Sequence, residues 1–333
     1  MDKLAYISGE SLIYWNSIAY TLAAVTAICL FLAFYLAKNG NVVAGFAAVP
    51  LSMVMGLVAA RFFHWYCRAD SYESFASAMT DYSSGGYALM GIFLGCFLAA
   101  VILRILFLHT NLPKMLDCMS VAGCAGIAVG RLASLFNSSD RGQVVEKFKS
   151  LPFVYPVTNA VSGAVEYRLA TFMLQSMVAL ALFGGLALFY LRKDPAGRRK
   201  DGDVALIFLL IYGASQVVLD STRYDSLFFR SNGFVSVVQV LGALGLALAV
   251  IVFSRRMVKA RGMRAWMIFL WLAIAGLIGG AGYMEYYVQR RGNEALFAYS
   301  VMSACLLAIV CLTLVIRNLA VRVERRYHGA FDD

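Results

Sequence analysis

MLDCMSVAGCAGIAVGRLASLFN, residues 115–137, is apolar for long enough to cross a bilayer, yet carries Asp117 near its start and Arg131 near its end. Crossing about 30 Å of hydrocarbon takes about 20 apolar residues, and the helix between these two charges is about 21 Å long. They cannot pair with each other. Asp117 is expected to neutralise Lys114 or Arg104 at one membrane face, with Arg131 reaching the other. Between them Gly123, Gly126 and Gly130, among alanine, serine and cysteine, make a small-residue face that lets helix backbones approach closely. This predicts a central helix in a bundle.

The rest of the chain repeats the pattern. Of 333 residues 61% are hydrophobic and 14% charged, far more apolar than a soluble domain. About nine runs are long enough to span: 13–37, 42–66, 87–108, 115–137, 169–191, 204–219, 234–253, 266–286 and 296–316. The fold class is therefore an all-α polytopic membrane protein. The first run is too long for a signal-peptide core and its leader mixes Lys3 with Asp2 and Glu10, so it reads as a retained helix. An odd number of spans puts the termini on opposite sides. Connections on the C-terminal side carry 17 Lys or Arg against 10 on the other, which predicts a cytoplasmic C-terminus and an outside N-terminus. The basic stretch at 254–264 reads as a hinge that separates the first seven spans from the last two, dividing the chain into a domain over 1–262 and a two-helix extension over 263–333.

The net charge of +10 fits anionic lipid at the cytoplasmic face and gives no reason to expect nucleic acid. Seven cysteines and three histidines are scattered without ligand spacing, so neither a metal nor a cofactor is expected. The longest connections, 68–84 and 138–168, read as loops on the outer side.

Polar residues inside spans locate the candidate site. Arg131 is followed by Ser134, Asn137, Ser138, Ser139 and Asp140. It reads either as a snorkelling anchor or as a cation facing a polar cavity, since arginine inside a bilayer is costly. In IYGASQVVLDSTRYD, residues 211–225, Tyr212, Gln216, Asp220 and Arg223 fall on one helical face. The pair Asp220 and Arg223 could be a plain ion pair, or the stripe could join Arg131 at a headgroup site, where two arginines would clamp a phosphate. Arg61 and Asp117 are the only polar groups that would suit a transporter. Tyr14, Trp15, Trp65 and Tyr66 suit an aromatic belt, and Tyr20 lies deeper in its span.

The order and spacing of these residues resemble the prolipoprotein diacylglyceryl transferases, seven-helix bacterial membrane enzymes. Their signature, approximately Gly-Arg-x-Gly-Asn-Phe-x-Asn-x-Glu-x-x-Gly, is similar to residues 130–142 at Gly130, Arg131, Asn137 and Gly142, with Ser134 and Ser139 in place of the first asparagine and the glutamate. Asp117 matches an aspartate of the family. The family's Tyr-Gly-x-x-Arg-x-x-x-Glu-x-x-Arg corresponds to Tyr212, Gly213, Gln216, Asp220 and Arg223, and its Met-Gly-Gln to Val237, Val238 and Gln239. Gly-Gly-x-x-x-His corresponds to Gly85, Gly86 and Met90, and His-Pro-Thr-x-Leu-Tyr-Glu survives only as residues 169–175. The likeness covers about residues 12–254, and residues 265–333 have no counterpart in the seven-helix pattern.

The resemblance implies transfer of diacylglycerol from phosphatidylglycerol to the lipobox cysteine of a prolipoprotein signal peptide, in a bacterial cytoplasmic (inner) membrane, near the outer leaflet. The substrate thiol is then the nucleophile. Arg131, Arg223, Asn137 and Asp220 are the implied catalytic residues; Tyr20, Tyr212, Gln216, Gly142, Gln239, Ser134 and Asp140 are implied in substrate binding. Met90 and Gln216, in place of a histidine and an arginine, leave two alternatives open: a divergent transferase, or a phospholipid-binding or other-acceptor relative without the standard reaction. A membrane transporter or scaffold is the third reading.

Overall fold

Asparagines at the start of two apolar runs set where helices begin. The side-chain oxygens of Asn41 and Asn111 accept from the backbone N–H of Ala44 and Lys114, both at 3.2 Å, caps worth about 1 kcal/mol each. The structure is a computed structural model that describes residues 4–8, 11–81, 85–137, 141–145, 149–159, 163–192, 199–229, 235–291 and 294–328. In chain order the helices are α1 (Trp15–Ala37), α2 (Val42–Cys67), the short α3 (Phe75–Thr80), α4 (Leu89–Leu106), α5 (Leu112–Leu132), α6 (Thr171–Leu191), α7 (Asp203–Ser221), α8 (Val237–Arg261), α9 (Ala265–Arg291) and α10 (Ala295–His328). Nine of them, among the described residues, are long and apolar enough to cross a membrane. Leu188, Phe269 and Leu307 are each more than 60% exposed, as lipid-facing side chains of a membrane bundle are. The protein is an all-α polytopic membrane protein, with small hairpins outside the spans.

Two expectations about the ends of elements are corrected. Residues 254–261 are not a hinge but the last turns of α8, because no glycine or proline interrupts them until Gly262. Gly262 takes φ +71° and donates its N–H to Val258 O at 2.8 Å, a left-handed helix stop. The connections expected on the outer side are also more ordered than loops. β1 (Leu4–Ser8) pairs antiparallel with β2 (Ser11–Tyr14), and β3 (Val154–Thr158) with β4 (Val165–Leu169). The β-branched and aromatic residues of β3 and β4 favour this, and pairing satisfies backbone groups next to lipid.

The chain divides into two compact units. The first comprises residues 1–193, 201–205 and 222–238. Within it α1 lies along α5 through Gly126 and Gly130: a Cβ added at Gly126 would stand 2.9 Å from Ala27 Cβ, and one at Gly130 would stand 3.4 Å from Ala23 Cβ. Gly123 has nothing within 4 Å, so only two of the three glycines mediate packing. α6 joins α5 through Ser176 Oγ, which donates to Ala128 O at 2.6 Å. α4 meets α2 where Gly91 and Gly95 face the backbone of Ala60 and Gly56.

Asp117 does not serve Lys114 or Arg104. Its carboxylate accepts the N–H groups of Gly202 and Ala205, each at 2.8 Å, and so caps the positive N-terminal end of α7. At that same end Asn111 Nδ2 donates to Asp201 Oδ2 at 2.6 Å. The opposite end of this unit gathers the N-terminal hairpin and the connections after α2, α5 and α7. Trp15 stacks on Phe136 with ring centres 5.9 Å apart, and Tyr66 meets Phe229 edge-on at 6.3 Å.

The second unit comprises residues 194–200, 206–221 and 239–333. α7 and α8 approach at a glycine pair: a Cβ at Gly242 would lie 2.9 Å from Gly213 O. Trp271 Nε1 on α9 donates to Ser254 Oγ on α8 at 3.1 Å, and Tyr299 Oη on α10 donates to Ser221 O at 3.1 Å.

Candidate active site

Residues 141–145 run extended between two partners and are the centre of the candidate site. On one side the N–H of Gly142 donates to Leu169 O at 2.8 Å and that of Val145 to Tyr167 O at 2.7 Å. On the other, Gln143 N donates to Thr222 O and Tyr224 N to Arg141 O, both at 2.9 Å, and Gly142 pairs with Arg223 in an antiparallel bridge. This strap brings together two sequence-selected residues 81 positions apart, Gly142 and Arg223. Thr171 Oγ1 and Thr222 Oγ1, 3.0 Å apart and buried, fasten the same turn to the start of α6.

Gly142 is glycine for lack of room. A Cβ there would stand 2.6 Å from Leu169 O and 2.7 Å from Thr171 Oγ1, closer than carbon tolerates. Gly142→Ala is expected to push the strap off β4, at the cost of about 1–3 kcal/mol typical of overpacking. Hydrogen exchange of the 141–145 amides in the detergent-solubilised protein checks this: exchange should speed up there, and an unchanged rate would contradict the packing argument.

Three arginines surround the strap. Arg223 Nε and Nη2 donate to Asp225 Oδ1 at 3.1 and 3.0 Å. The Arg223 side chain is 11% exposed and that of Asp225 32%, so the pair is partly open to solvent. Arg168 donates to Glu166 Oε2 from Nε at 3.2 Å and Nη2 at 2.8 Å, and lies over the Tyr224 ring at 4.8 Å. Arg141 Nε is enclosed and has no hydrogen-bond partner among the described residues. Tyr155 sits across from Arg168 in the β3–β4 ladder. Burial pushes the Tyr155 hydroxyl pKa up, and the charges of Arg141 and Arg168 oppose that rise.

Glu166 is held below the ordinary glutamate value by the hydrogen bond from Asn159 and then by Arg168. A carboxylate with a depressed folded-state pKa contributes its stabilisation above its unfolded pKa and loses it as pH falls through the folded one. The β3–β4 hairpin is therefore expected to keep its amide protection down to pH 4.5, the ordinary value, and to loosen only below it. Loss of protection already near neutral pH would contradict this.

The other sequence-selected residues fall into two groups. In the first unit Arg131 is half-buried at the end of α5, Ser134 is buried in the turn that follows, and Asn137 is half-buried just after Phe136. Tyr20 lies on α1 between the Ala23–Gly130 and Trp15–Phe136 contacts and is 47% exposed. Asp140, with Ser138 and Ser139, lies outside the described residues. In the second unit the stripe on α7 is buried throughout: Tyr212, Gln216 and Asp220 all face the protein interior. Tyr212 stacks on Phe208 at 5.1 Å, and Gln239 Nε2 donates to Val217 O at 3.1 Å. Met90 is buried in the first turn of α4.

Sequence reasoning passed over Arg141, Arg168 and the Thr171–Thr222 pair. Their only signal was two arginines in a connection expected to be irregular. It also held Arg61 and Asp117 as charges suited to a transporter. Asp117 is consumed as a helix cap, and the Arg61 guanidinium, 1% exposed, donates to the backbone oxygens of Ala78, Asp81, Gly85 and Gly86.

A sequence profile of the prolipoprotein diacylglyceryl transferases matches residues 3–253. The chain belongs to the prolipoprotein diacylglyceryl transferase family. Among its relatives is the phosphatidylglycerol–prolipoprotein diacylglyceryl transferase of Streptococcus mutans, 26% identical over 235 residues, 69% of this chain and 87% of the relative. Enzymes of the same name from Lactococcus lactis subsp. cremoris and Streptococcus sanguinis are 26% and 24% identical, covering 78% and 77% of this chain and 96% and 97% of their own lengths. The profile ends inside α8, so this member of the family carries α9 and α10 beyond the matched region.

Proposed function

We propose that the protein transfers the diacylglyceryl group of phosphatidylglycerol to the thiol of a lipobox cysteine in a prolipoprotein signal peptide. The substrate sulfur attacks the lipid carbon bonded to the phosphate oxygen, and a C–S bond forms as that C–O bond breaks. The electron pair leaves on glycerol phosphate, which also accounts for the thiol proton. No enzyme nucleophile enters. Arg131 and Arg223 hold the phosphate and neutralise the charge that grows on it. Asn137 and Ser134 bond the headgroup oxygens, and Asp220 orients an arginine. Tyr20, Tyr212, Gln216, Gln239 and Asp140 contribute contacts to the substrate.

The observation that carries this reading is the strap, which ties the signature glycine Gly142 to Arg223 of the second motif. Family membership supports it. The reaction belongs at the outer leaflet, with the N-terminus outside and the C-terminus cytoplasmic. That assignment rests on the charge asymmetry of the connections, 17 basic residues against 10. Residues 1–262 serve as the transferase core and 263–333 as an added two-helix extension.

Met90 and Gln216, both buried, favour one second reading: a relative that still binds phosphatidylglycerol and has lost the transfer, because general-base loss alone costs about 10² to 10⁴ in rate. Release of glycerol phosphate from phosphatidylglycerol vesicles on adding a lipobox peptide separates the two. Peptide-dependent release supports the transferase; retention of lipid without release supports the binding protein.

A further inference from the structure

The face of the strap that carries Arg141 has no task in the transfer reaction. It is built from three connected observations. Arg168 stands opposite Tyr155 in the β3–β4 ladder and lies over the ring of Tyr224 at 4.8 Å. Tyr224 donates its backbone N–H to Arg141 O at 2.9 Å. In an antiparallel pairing the residues on either side of a bridge also lie opposite each other and share a face, so the Gly142–Arg223 bridge puts Arg141 with Tyr224 and turns both away from the Arg223 side. Arg168, which also bridges to Val144 of the strap, is brought to Arg141 and Tyr155 through its contact with the Tyr224 ring. Lys149 adds a third cation close by, over the ring of Tyr167 at 5.1 Å.

The charges on this face are unequal. Arg168 has Glu166 as a counterion. Arg141 has no carboxylate partner among the described residues, and its Nε is enclosed without an acceptor. An enclosed guanidinium N–H without an acceptor loses the interaction it had with water, and an anion on this face would restore it. Its surroundings indicate which anion. Tyr224 is 73% exposed, Val165 60%, Leu151 48% and Val144 47%. Exposed apolar and aromatic side chains beside clustered cations suit the boundary between lipid tails and headgroups, not bulk solvent.

We propose that Arg141 and Arg168 form a second anion site, separate from Arg131 and Arg223, that holds the phosphate diester of a membrane phospholipid on the strap and hairpin. The site rests on the transferase reading only in needing this end of the bundle to meet a headgroup layer. It requires no turnover. It offers an anionic lipid a resting place beside the reaction site and anchors the strap to the membrane surface through that lipid.

The test uses the full-length protein in nanodiscs of phosphatidylcholine doped with phosphatidylglycerol, with retained lipids quantified by native mass spectrometry. Arg141→Gln is expected to lower phosphatidylglycerol retention about fivefold, the effect of one basic residue at an anionic surface. Phosphatidylcholine retention and the thermal unfolding midpoint should not change, and Arg141→Lys should restore most of the loss. Arg223→Ala should keep the Arg141-dependent lipid even where no thioether forms, so failure of the transferase reading leaves this result standing. Wild-type phosphatidylglycerol retention in a folded Arg141→Gln protein would overturn the site. Displacement of the Arg141-dependent lipid by millimolar inorganic phosphate would assign the site to free phosphate and overturn its lipid occupant.

Discussion

Arg223→Ala and Arg131→Ala proteins are expected to insert, fold and migrate as the wild type does, and to lose about 10² to 10³ of transfer activity each, the cost of removing one preorganised charge from a reacting oxyanion. The expectation follows from where the guanidinium groups stand. Arg223 follows the last residue of α7 by two positions, and the strap holds its backbone through the Gly142 bridge. The alanine variant keeps that bridge, because the bridge is made by main-chain atoms. What it loses is a cation that pairs with the partly exposed Asp225. Folding therefore changes little. Arg223→Lys keeps the charge and loses the planar fork that matches a phosphate, so it should recover part of the rate. The assay is initial rate of glycerol phosphate release at saturating peptide, beside a thermal unfolding curve for each variant. Equal rates for Arg223→Ala and wild type would remove Arg223 from the mechanism.

Arg61→Ala is expected to fail earlier, at folding. Arg61 lies on α2, and its buried guanidinium donates to the backbone oxygens of Ala78, Asp81, Gly85 and Gly86 and lies over the rings of Tyr72 at 4.9 Å and Tyr87 at 5.6 Å. Each buried carbonyl left without a donor costs about 1–3 kcal/mol, and the total approaches the whole stability of a typical domain, about 5–15 kcal/mol. The loop it holds is already demanding. Gly85 and Gly86 take φ of +66° and +83°, and a Cβ at Gly86 would stand 2.7 Å from the Tyr72 hydroxyl. His64 Nδ1 and Tyr72 Oη, 2.7 Å apart, close the same corner. Arg61→Lys supplies a point charge with three donors in place of a planar fork with five, so partial rescue is expected. Yield of monodisperse protein after detergent extraction reads the outcome. A full wild-type yield of Arg61→Ala would mean that the loop is held by something other than this side chain.

The spans were legible in the sequence because they depend on local composition: nine apolar runs correspond to nine membrane-length helices among the described residues, although α8 and α10 continue well past the ends of their runs. The burial of Tyr212, Gln216 and Asp220 was also legible, since polar residues spaced at helical intervals in an apolar run must turn inward. Partners distant in sequence were not. Asp117 has its partners at Gly202 and Ala205, and no periodicity near residue 117 points to them. Arg61 reads as a costly membrane charge until the backbone oxygens of Ala78, Asp81, Gly85 and Gly86 are seen around it. The strap was hidden for a related reason. Residues 141–145 carry no strand pattern of their own, and their extended shape comes from being held between β4 and Thr222–Tyr224. Gly142 and Arg223 could be matched to family motifs, but Arg141 stands at a position where the signature specifies nothing.

The central claim is that an arginine-dependent phospholipid site works on a peptide thiol, and mass spectrometry of the peptide tests it most directly. Purified protein is incubated with phosphatidylglycerol and a lipobox peptide, and the peptide is searched for a diacylglyceryl thioether while glycerol phosphate is measured in the same reaction. The expected result is thioether and glycerol phosphate in equal amounts with wild-type protein, and both lower by about 10² to 10³ with Arg223→Ala. Unmodified peptide in the presence of folded, phosphatidylglycerol-loaded wild-type protein would contradict it, and would mean that the fold keeps a lipid site without the transfer.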